Sequence, residues 1–181
     1  MTRGAVVWLT GLPGSGKTTL ANALRARLQP DGTVEVLDGD ELRRTISRDL
    51  GFSKADRDEH VRRVAALAAE RADTGAVAIV ALISPYRQAR DAARREISAR
   101  HCFVEVHLDC SLDELRRRDP KGLYRKAAAG EIQQFTGVSD PYEAPLHPEL
   151  RIDTSTVSVE AAVDALHRAL AQTCREVAAP R

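Results

Sequence analysis

Eight residues constrain this chain more than any others. Gly11-Leu12-Pro13-Gly14-Ser15-Gly16-Lys17-Thr18 fits G-x-x-x-x-G-K-[ST] in full. They follow the apolar run AVVWLT at 5–10 and precede a stripe of Leu20, Leu24 and Leu28. That order predicts a strand, a glycine turn and an amphipathic helix. Glycines let backbone N–H groups curl around a polyphosphate without Cβ clashes, and a helix N-terminus adds partial positive charge. Lys17 is placed to reach the β- and γ-phosphates, and the Thr18 hydroxyl to take a position on Mg²⁺. Gly11 to Thr18, with Thr19, are therefore candidate ATP-binding residues, Lys17 is a catalytic candidate, and Thr18 is the candidate metal ligand.

The rest of the chain repeats the strand–helix rhythm. VEVLD (34–38), AVAIVAL (76–82) and CFVEVHLD (102–109) are short, nearly continuous apolar runs, as strands buried on both faces should be, and LRID (150–153) is a weaker fifth. Between them lie further stripes, Val61, Val64, Ala65 and Ala68 in one and Val159, Val163, Leu166 and Leu170 in another. The alternation predicts an α/β fold, a parallel sheet covered by helices on both sides. With 181 residues the chain has room for a single domain, 1–181. The rhythm breaks between Asp119 and about His147, a stretch with three prolines and three glycines. A loop of that length is usually functional, and its Lys, Arg, Tyr and Phe suit a lid.

A phosphate loop can serve a switch, a motor or a kinase. The Asn-Lys-x-Asp guanine element is missing, since Asn22 is the only asparagine. The strand at 76–82 runs into Ile83-Ser84-Pro85 with no motor-type carboxylate. Asp38 and Asp40, at the end of the second strand, stand where small phosphotransferases orient an acceptor hydroxyl. Asp38 can equally cap a helix beginning at Gly39, and the two roles can coexist.

Seven segments together resemble one family, the adenylylsulfate kinases. They are WLTGLPGSGKTTLA (8–21), LDGDELR (37–43), LGFSKADRDEHVRR (50–63), ISPYRQARD (83–91), RDPKGLYRKAAAGEI (118–132), FTGVSDPYEAP (135–145) and PELRIDT (148–154). The resemblance implies phosphorylation of the 3′-hydroxyl of adenosine 5′-phosphosulfate with ATP and Mg²⁺, on a P-loop fold with strand order 2-3-1-4-5. It also implies a homodimer. Asp38 and Asp40 would be catalytic, with Asp40 also touching substrate, and Ile83 and Ser84 would form a shelf under it. The family's serine has been proposed as a transient phosphoserine, which puts Ser84 among the catalytic candidates, although in-line transfer needs only positioning and charge neutralisation.

The same resemblance assigns Phe52 and Phe135 to an adenine sandwich and Arg43 and Arg57 to the phosphosulfate. Both uses suit the chemistry, since purines stack and guanidinium groups bind oxyanions in pairs of bonds. Lys121, Gly122 and Leu123 match the lid that closes over substrate, about 119–136. Arg118 matches the arginine over the ATP adenine. The remaining arginine pairs, 62–63, 94–95 and 116–117, read as solvated helix faces. Two positions depart from the family, Glu41 and His60, each standing where it usually has asparagine. An imidazole at 60 with an ordinary pKa near 6.5 would be drawn toward its charged form by a phosphosulfate. Many bacterial relatives carry a segment before the first strand, for which Gly11 comes early. Two rivals remain: a kinase for another nucleotide-like or small-metabolite hydroxyl, and a non-catalytic nucleotide-binding subunit.

Charge narrows the partners. The 27 basic and 26 acidic residues leave a net charge of +1, which argues against a nucleic-acid or membrane-surface binder. Cys102, Cys110 and Cys174 are an odd number with no C-x-x-C pair. They read as buried or incidental thiols of a cytoplasmic protein, not as a disulfide framework or zinc site.

Overall fold

A computed structural model describes residues 4–178. Five strands form one parallel sheet: β1 (Ala5–Thr10), β2 (Val34–Asp38), β3 (Val77–Ala81), β4 (Cys102–Asp109) and β5 (Leu150–Asp153). Their order is β2-β3-β1-β4-β5, as expected for a P-loop kinase fold. Every residue of β1 is buried. Its register pairs Ala5 with Val77 on one side and with Cys102 on the other.

The continuous apolar runs have a geometric cause. Successive strand side chains point to opposite faces, and both faces are covered. Val7, Leu9, Ile79, Val104 and Val106 face α1 (Lys17–Leu28) and α7 (Val159–Ala178). Val6, Trp8, Ala78, Val80 and Phe103 face α3 (Lys54–Asp73) and α4 (Arg87–Ser98). The expected stripes are the buried faces of these helices, Leu20, Leu24 and Leu28 on α1 and Val163, Leu166 and Leu170 on α7, except that Val159 is exposed at the start of α7. Ser53 starts α3 by accepting a hydrogen bond from the Asp56 amide at 3.2 Å. Short helices α2 (Gly39–Arg44), α5 (Leu112–Arg118) and α6 (Leu123–Ala128) lie at the ends of strands or within the lid.

The lid is more ordered than its sequence implies. Asp119 accepts the amides of Tyr124 and Arg125, each at 3.1 Å, and so holds the start of α6. A second tight turn follows at Thr136–Asp140. Two helix-face expectations also change. Arg94 spans Glu149 at 2.5 Å and Glu105 at 3.1 Å, with its guanidinium over the Phe103 ring. Arg63 reaches Asp49 at 2.6 Å, Glu59 and the Ile46 carbonyl. Each reaches beyond its own helix, which helical spacing alone cannot reveal. Arg62, Arg95, Arg116 and Arg117 are exposed.

The cysteines correct an expectation outright. Cys102, at the start of β4, forms a disulfide with Cys174 of α7, their Cα atoms 5.3 Å apart. The two are 72 residues apart in sequence, and only the docking of α7 on the sheet brings them together. Cys110 remains a free, buried thiol, as expected. A cross-link that closes so long a loop restricts the unfolded chain, so Cys174→Ser should lower stability by about 2–4 kcal/mol. Urea unfolding checks this: reductant should lower the midpoint of the parent and leave the variant unchanged. Identical parent midpoints with and without reductant would refute it.

Candidate active site

The site grows from the carboxyl ends of β1 and β2. β1 leads directly into the glycine loop. A Cβ on Gly11 would lie 2.6 Å from the Leu108 carbonyl oxygen, so no side chain fits there. Gly16 turns the chain into α1 with φ of 93°, a region that favours glycine. Lys17 donates to the carbonyls of Gly11 (2.9 Å) and Leu12 (2.8 Å), and more weakly to Ser15 Oγ (3.4 Å). Burial pushes its pKa down to about 7, against the opposing pull of Asp40 and Asp38. A polyphosphate beside it would favour the charged form.

Asp38 caps α2, one of the two roles its position allowed, and it also meets the phosphate loop. Its Oδ1 accepts the Asp40 amide at 2.9 Å and caps α2, while its Oδ2 accepts the Thr18 hydroxyl at 2.7 Å. This hydroxyl–carboxylate pair is a set of hard oxygens of the kind Mg²⁺ takes, with substrate phosphates and water completing its shell. Among the described residues there is no cluster of three or more His, Cys, Asp or Glu that could hold a metal. Asp40 is exposed and ion-pairs with Lys121, so the lid lysine already reaches across to the candidate base. Glu41 is exposed on α2 beside it.

The lid is seated on the loop by contacts that sequence reasoning missed. Tyr124 donates its hydroxyl to the Pro13 carbonyl at 2.9 Å, and Gly137 lies against Leu12. Gly122 adopts φ of 66° just before Leu123 opens α6. Arg118, at the base of the lid, donates to the Thr154 carbonyl at 2.6 Å and pairs with Glu114. Tyr124 carried a signal in hindsight, as the one tyrosine of a lid whose Leu123, Ile132 and Phe135 pack with it.

The two phenylalanines are not equivalent. Phe52 is 58% exposed, with the guanidinium of Arg43 4.7 Å and that of Arg57 5.7 Å from its ring centre. Phe135 is 7% exposed and meets Tyr124 edge to face at 5.0 Å. Arg43 also donates to the Gly51 carbonyl at 2.7 Å. Arg57 is buried and donates to the carbonyls of Phe52 (2.9 Å) and Gln134 (2.6 Å).

The Ile83–Ser84 shelf is held from behind. Ser84 has φ of 41° and is 1% exposed. Its hydroxyl receives the Trp8 indole N–H at 3.1 Å and donates to Thr10 at 3.2 Å. The Thr10 hydroxyl in turn donates to the Ile83 carbonyl at 2.7 Å. Arg90, paired with Glu105 in the interior, donates to the Ser84 carbonyl at 2.6 Å. Backbone strain of this kind persists where surrounding contacts over-determine it.

His60 differs from its expected behaviour. It is buried, Nδ1 lies 2.8 Å from Ser47 Oγ, and Nε2 is buried without a partner. Burial, with Arg43 and Arg63 nearby, pushes its pKa down to about 4. Without substrate the ring therefore favours its neutral form at pH 6–8. The unfolded chain binds this proton first, so stability is lost as pH falls from about 6.5 through 4. NMR should show the His60 ring, assigned by its loss in His60→Asn, unchanged from pH 8 to about 5.5. His60→Asn should also lose less stability than the parent between about pH 6.5 and 5. A ring that titrates near 6.5 would overturn both.

A glycine loop at the end of the central strand, with a lysine, a hydroxyl–carboxylate pair and a seated lid, defines a P-loop phosphotransferase. The chain belongs to the adenylylsulphate kinase family, whose model matches residues 3–153. It is 48% identical over 167 residues to the probable adenylyl-sulfate kinase of Aeropyrum pernix, covering 91% of each chain. It is also 48% identical over 167 residues to the adenylyl-sulfate kinase of Geotalea uraniireducens, covering 92% of this chain and 80% of that protein. The Mycobacterium tuberculosis APS kinase CysC, solved with AMPPNP and APS, superposes with a TM-score of 0.89 at 42% identity, over 94% of this chain and 99% of that one.

Proposed function

We infer that this enzyme transfers the γ-phosphoryl group of ATP to the 3′-hydroxyl of adenosine 5′-phosphosulfate, yielding 3′-phosphoadenosine 5′-phosphosulfate. The observation that carries the reading is the convergence of Lys17, Thr18, Asp38 and Asp40 on one end of the sheet, under a lid that delivers Lys121 to Asp40. Residues Gly11 to Thr19 cradle the phosphates with loop amides, and Lys17 leaves its own carbonyl partners for the β- and γ-oxygens. Thr18, with Asp38 beside it, would hold Mg²⁺, which supplies charge neutralisation across those phosphates. Asp40 accepts a hydrogen bond from the attacking hydroxyl and orients it in line. Lys121, with the Gly122–Leu123 backbone, closes the acceptor side against water, which limits transfer to water.

Arg118 covers the adenine of ATP. On the acceptor side, Phe52 and Phe135 hold adenine between them, and Arg43 and Arg57 meet the phosphosulfate with the N–H groups that their backbone contacts leave free. Ile83 and the Ser84 backbone form the floor. His60 contributes as a neutral hydrogen-bonding ring. We also propose a homodimer, which sedimentation would show as twice the chain mass of 19.8 kDa. The use of MgATP supports a cytoplasmic enzyme. None of its described helices is long and apolar enough to cross a membrane.

Incubation of the purified chain with MgATP and a panel of acceptors tests the function. 3′-Phosphoadenosine 5′-phosphosulfate should form from adenylylsulfate, and Lys17→Met should cut turnover by about 10²–10³-fold or more, the scale of a lost electrostatic contact at a transferring group. Turnover of another acceptor but not adenylylsulfate would overturn the assignment. The phenylalanines provide a second test. Phe52→Ala should weaken acceptor binding by about 1–3 kcal/mol with an unchanged melting temperature. Phe135→Ala should weaken it too but also lower the melting temperature, because its ring packs on Tyr124. Equal melting behaviour of the two variants would contradict the burial difference.

A further inference from the structure

Arg57 links the two phenylalanine-bearing segments. Its Nε donates to the carbonyl of Phe52 itself (2.9 Å), and its Nη2 donates to the carbonyl of Gln134, the residue before Phe135 (2.6 Å). A single buried side chain thus ties together backbones that lie far apart in sequence. The buried guanidinium needs a counter-charge. Among the described residues, the carboxylate within ion-pair distance is Asp140, with Oδ2 3.3 Å from Nε.

Asp140 is itself fixed from two directions. Oδ2 accepts the Tyr86 hydroxyl at 3.2 Å, which anchors it to the start of α4. Its amide donates to the Phe135 carbonyl at 3.1 Å, and its carbonyl accepts the Gly137 amide at 2.7 Å. Ser139 Oγ completes the turn by accepting the Phe135 amide at 2.9 Å. Gln134, where Arg57 docks, has φ of 57°, a conformation that costs a non-glycine residue free energy unless neighbours hold it. Two of the five guanidinium N–H groups are engaged by the backbone, and Asp140 supplies the counter-charge beside Nε.

We propose that Asp140 is a positioning residue of the acceptor site. Through Arg57 it fixes the Phe52 segment relative to the Phe135 turn, so that the aromatic clamp and its arginine are pre-organised before acceptor binds. The proposal rests on the assignment of Phe52, Phe135 and Arg57 to the acceptor. The side chain of Asp140 meets Arg57 and Tyr86, so its loss acts first on the acceptor side.

The test compares Asp140→Asn and Asp140→Ala with the parent, at temperatures well below each melting point. Acceptor KM should rise about tenfold, the scale of a residue acting through another, while kcat and the KM for ATP stay within about twofold. Asp140→Asn, which keeps a neutral partner for Tyr86 and Arg57, should fall between the parent and Asp140→Ala. Hydrogen exchange on the protein without substrates gives a readout independent of acceptor identity: the Gly137 and Asp140 amides should exchange faster in Asp140→Ala. If the parent does not phosphorylate adenylylsulfate, the functional reading fails and the acceptor role with it, while the exchange measurement still decides whether Asp140 holds the Phe135 turn. Unchanged exchange, an unchanged acceptor KM, or equal rises in both KM values would each overturn it. A lower melting temperature with both KM values unchanged would make Asp140 merely structural and overturn it as well.

Discussion

β1 is buried along its whole length and hydrogen-bonded on both edges, to β3 and to β4. A strand held this way has no freedom to shift register, because a slip by one residue would exchange the sides that Val7 and Trp8 present. The position of Thr10, and hence of the glycine loop that follows, is set by the whole sheet. The same sheet ends β2 at Asp38, whose register with Ala81 places its carboxylate within reach of Thr18. Phosphate loop, capping aspartate and shelf therefore share one rigid edge, the end of a parallel sheet where ligands of open α/β folds bind.

From that edge outward, rigidity is passed on by buried polar side chains. Trp8, on the central strand, holds the Ser84 hydroxyl, and Arg90 holds its carbonyl while paired with Glu105 of β4. Arg90 also donates to the Glu143 carbonyl at 2.6 Å, which carries the same anchorage into the segment after the lid. Buried charges of this kind are expensive to desolvate and are retained where their hydrogen bonds are satisfied. Here the Arg90 donors end on the Glu105 carboxylate and on the carbonyls of Ser84 and Glu143.

The strands and the main helices were legible because burial writes itself into local pattern. Continuous apolar runs mark strands covered on both faces, and leucines at intervals of four mark α1. Even the weak LRID run is β5, since a strand at the sheet edge with alternating exposure needs only Leu150 and Ile152 inside. Site geometry was legible only as residue types. Phe52 and Phe135 look alike in sequence, yet one lies open under two guanidinium groups and the other is packed against Tyr124. His60 stands on the same helix as Arg57, and its neutral character arises from burial together with Arg43 and Arg63, which no spacing rule encodes. The Cys102–Cys174 bond and the Arg57 link to Gln134 join residues more than 70 positions apart. Such pairs depend on how α7 and the lid dock, and the sequence carries no periodic trace of them.

Charged groups at the cleft are already partnered by the protein: Lys17 by loop carbonyls, Asp38 by the Thr18 hydroxyl, Lys121 by Asp40, and Arg57 by two carbonyls and Asp140. Binding therefore exchanges one charge-assisted hydrogen bond for another, and only the difference counts toward affinity. A triphosphate offers Lys17 more negative charge than two carbonyls do, so that exchange is favourable. Lys121 and Asp40 are each exposed, so their pair is weak and yields readily to substrate. If Arg43, Arg57 and Phe52 hold the acceptor as proposed, water cannot fill its place in the same way, because it brings neither an anion for the arginines nor a ring for Phe52. The arrangement favours phosphoryl transfer to a molecule that is planar at one end and anionic at the other.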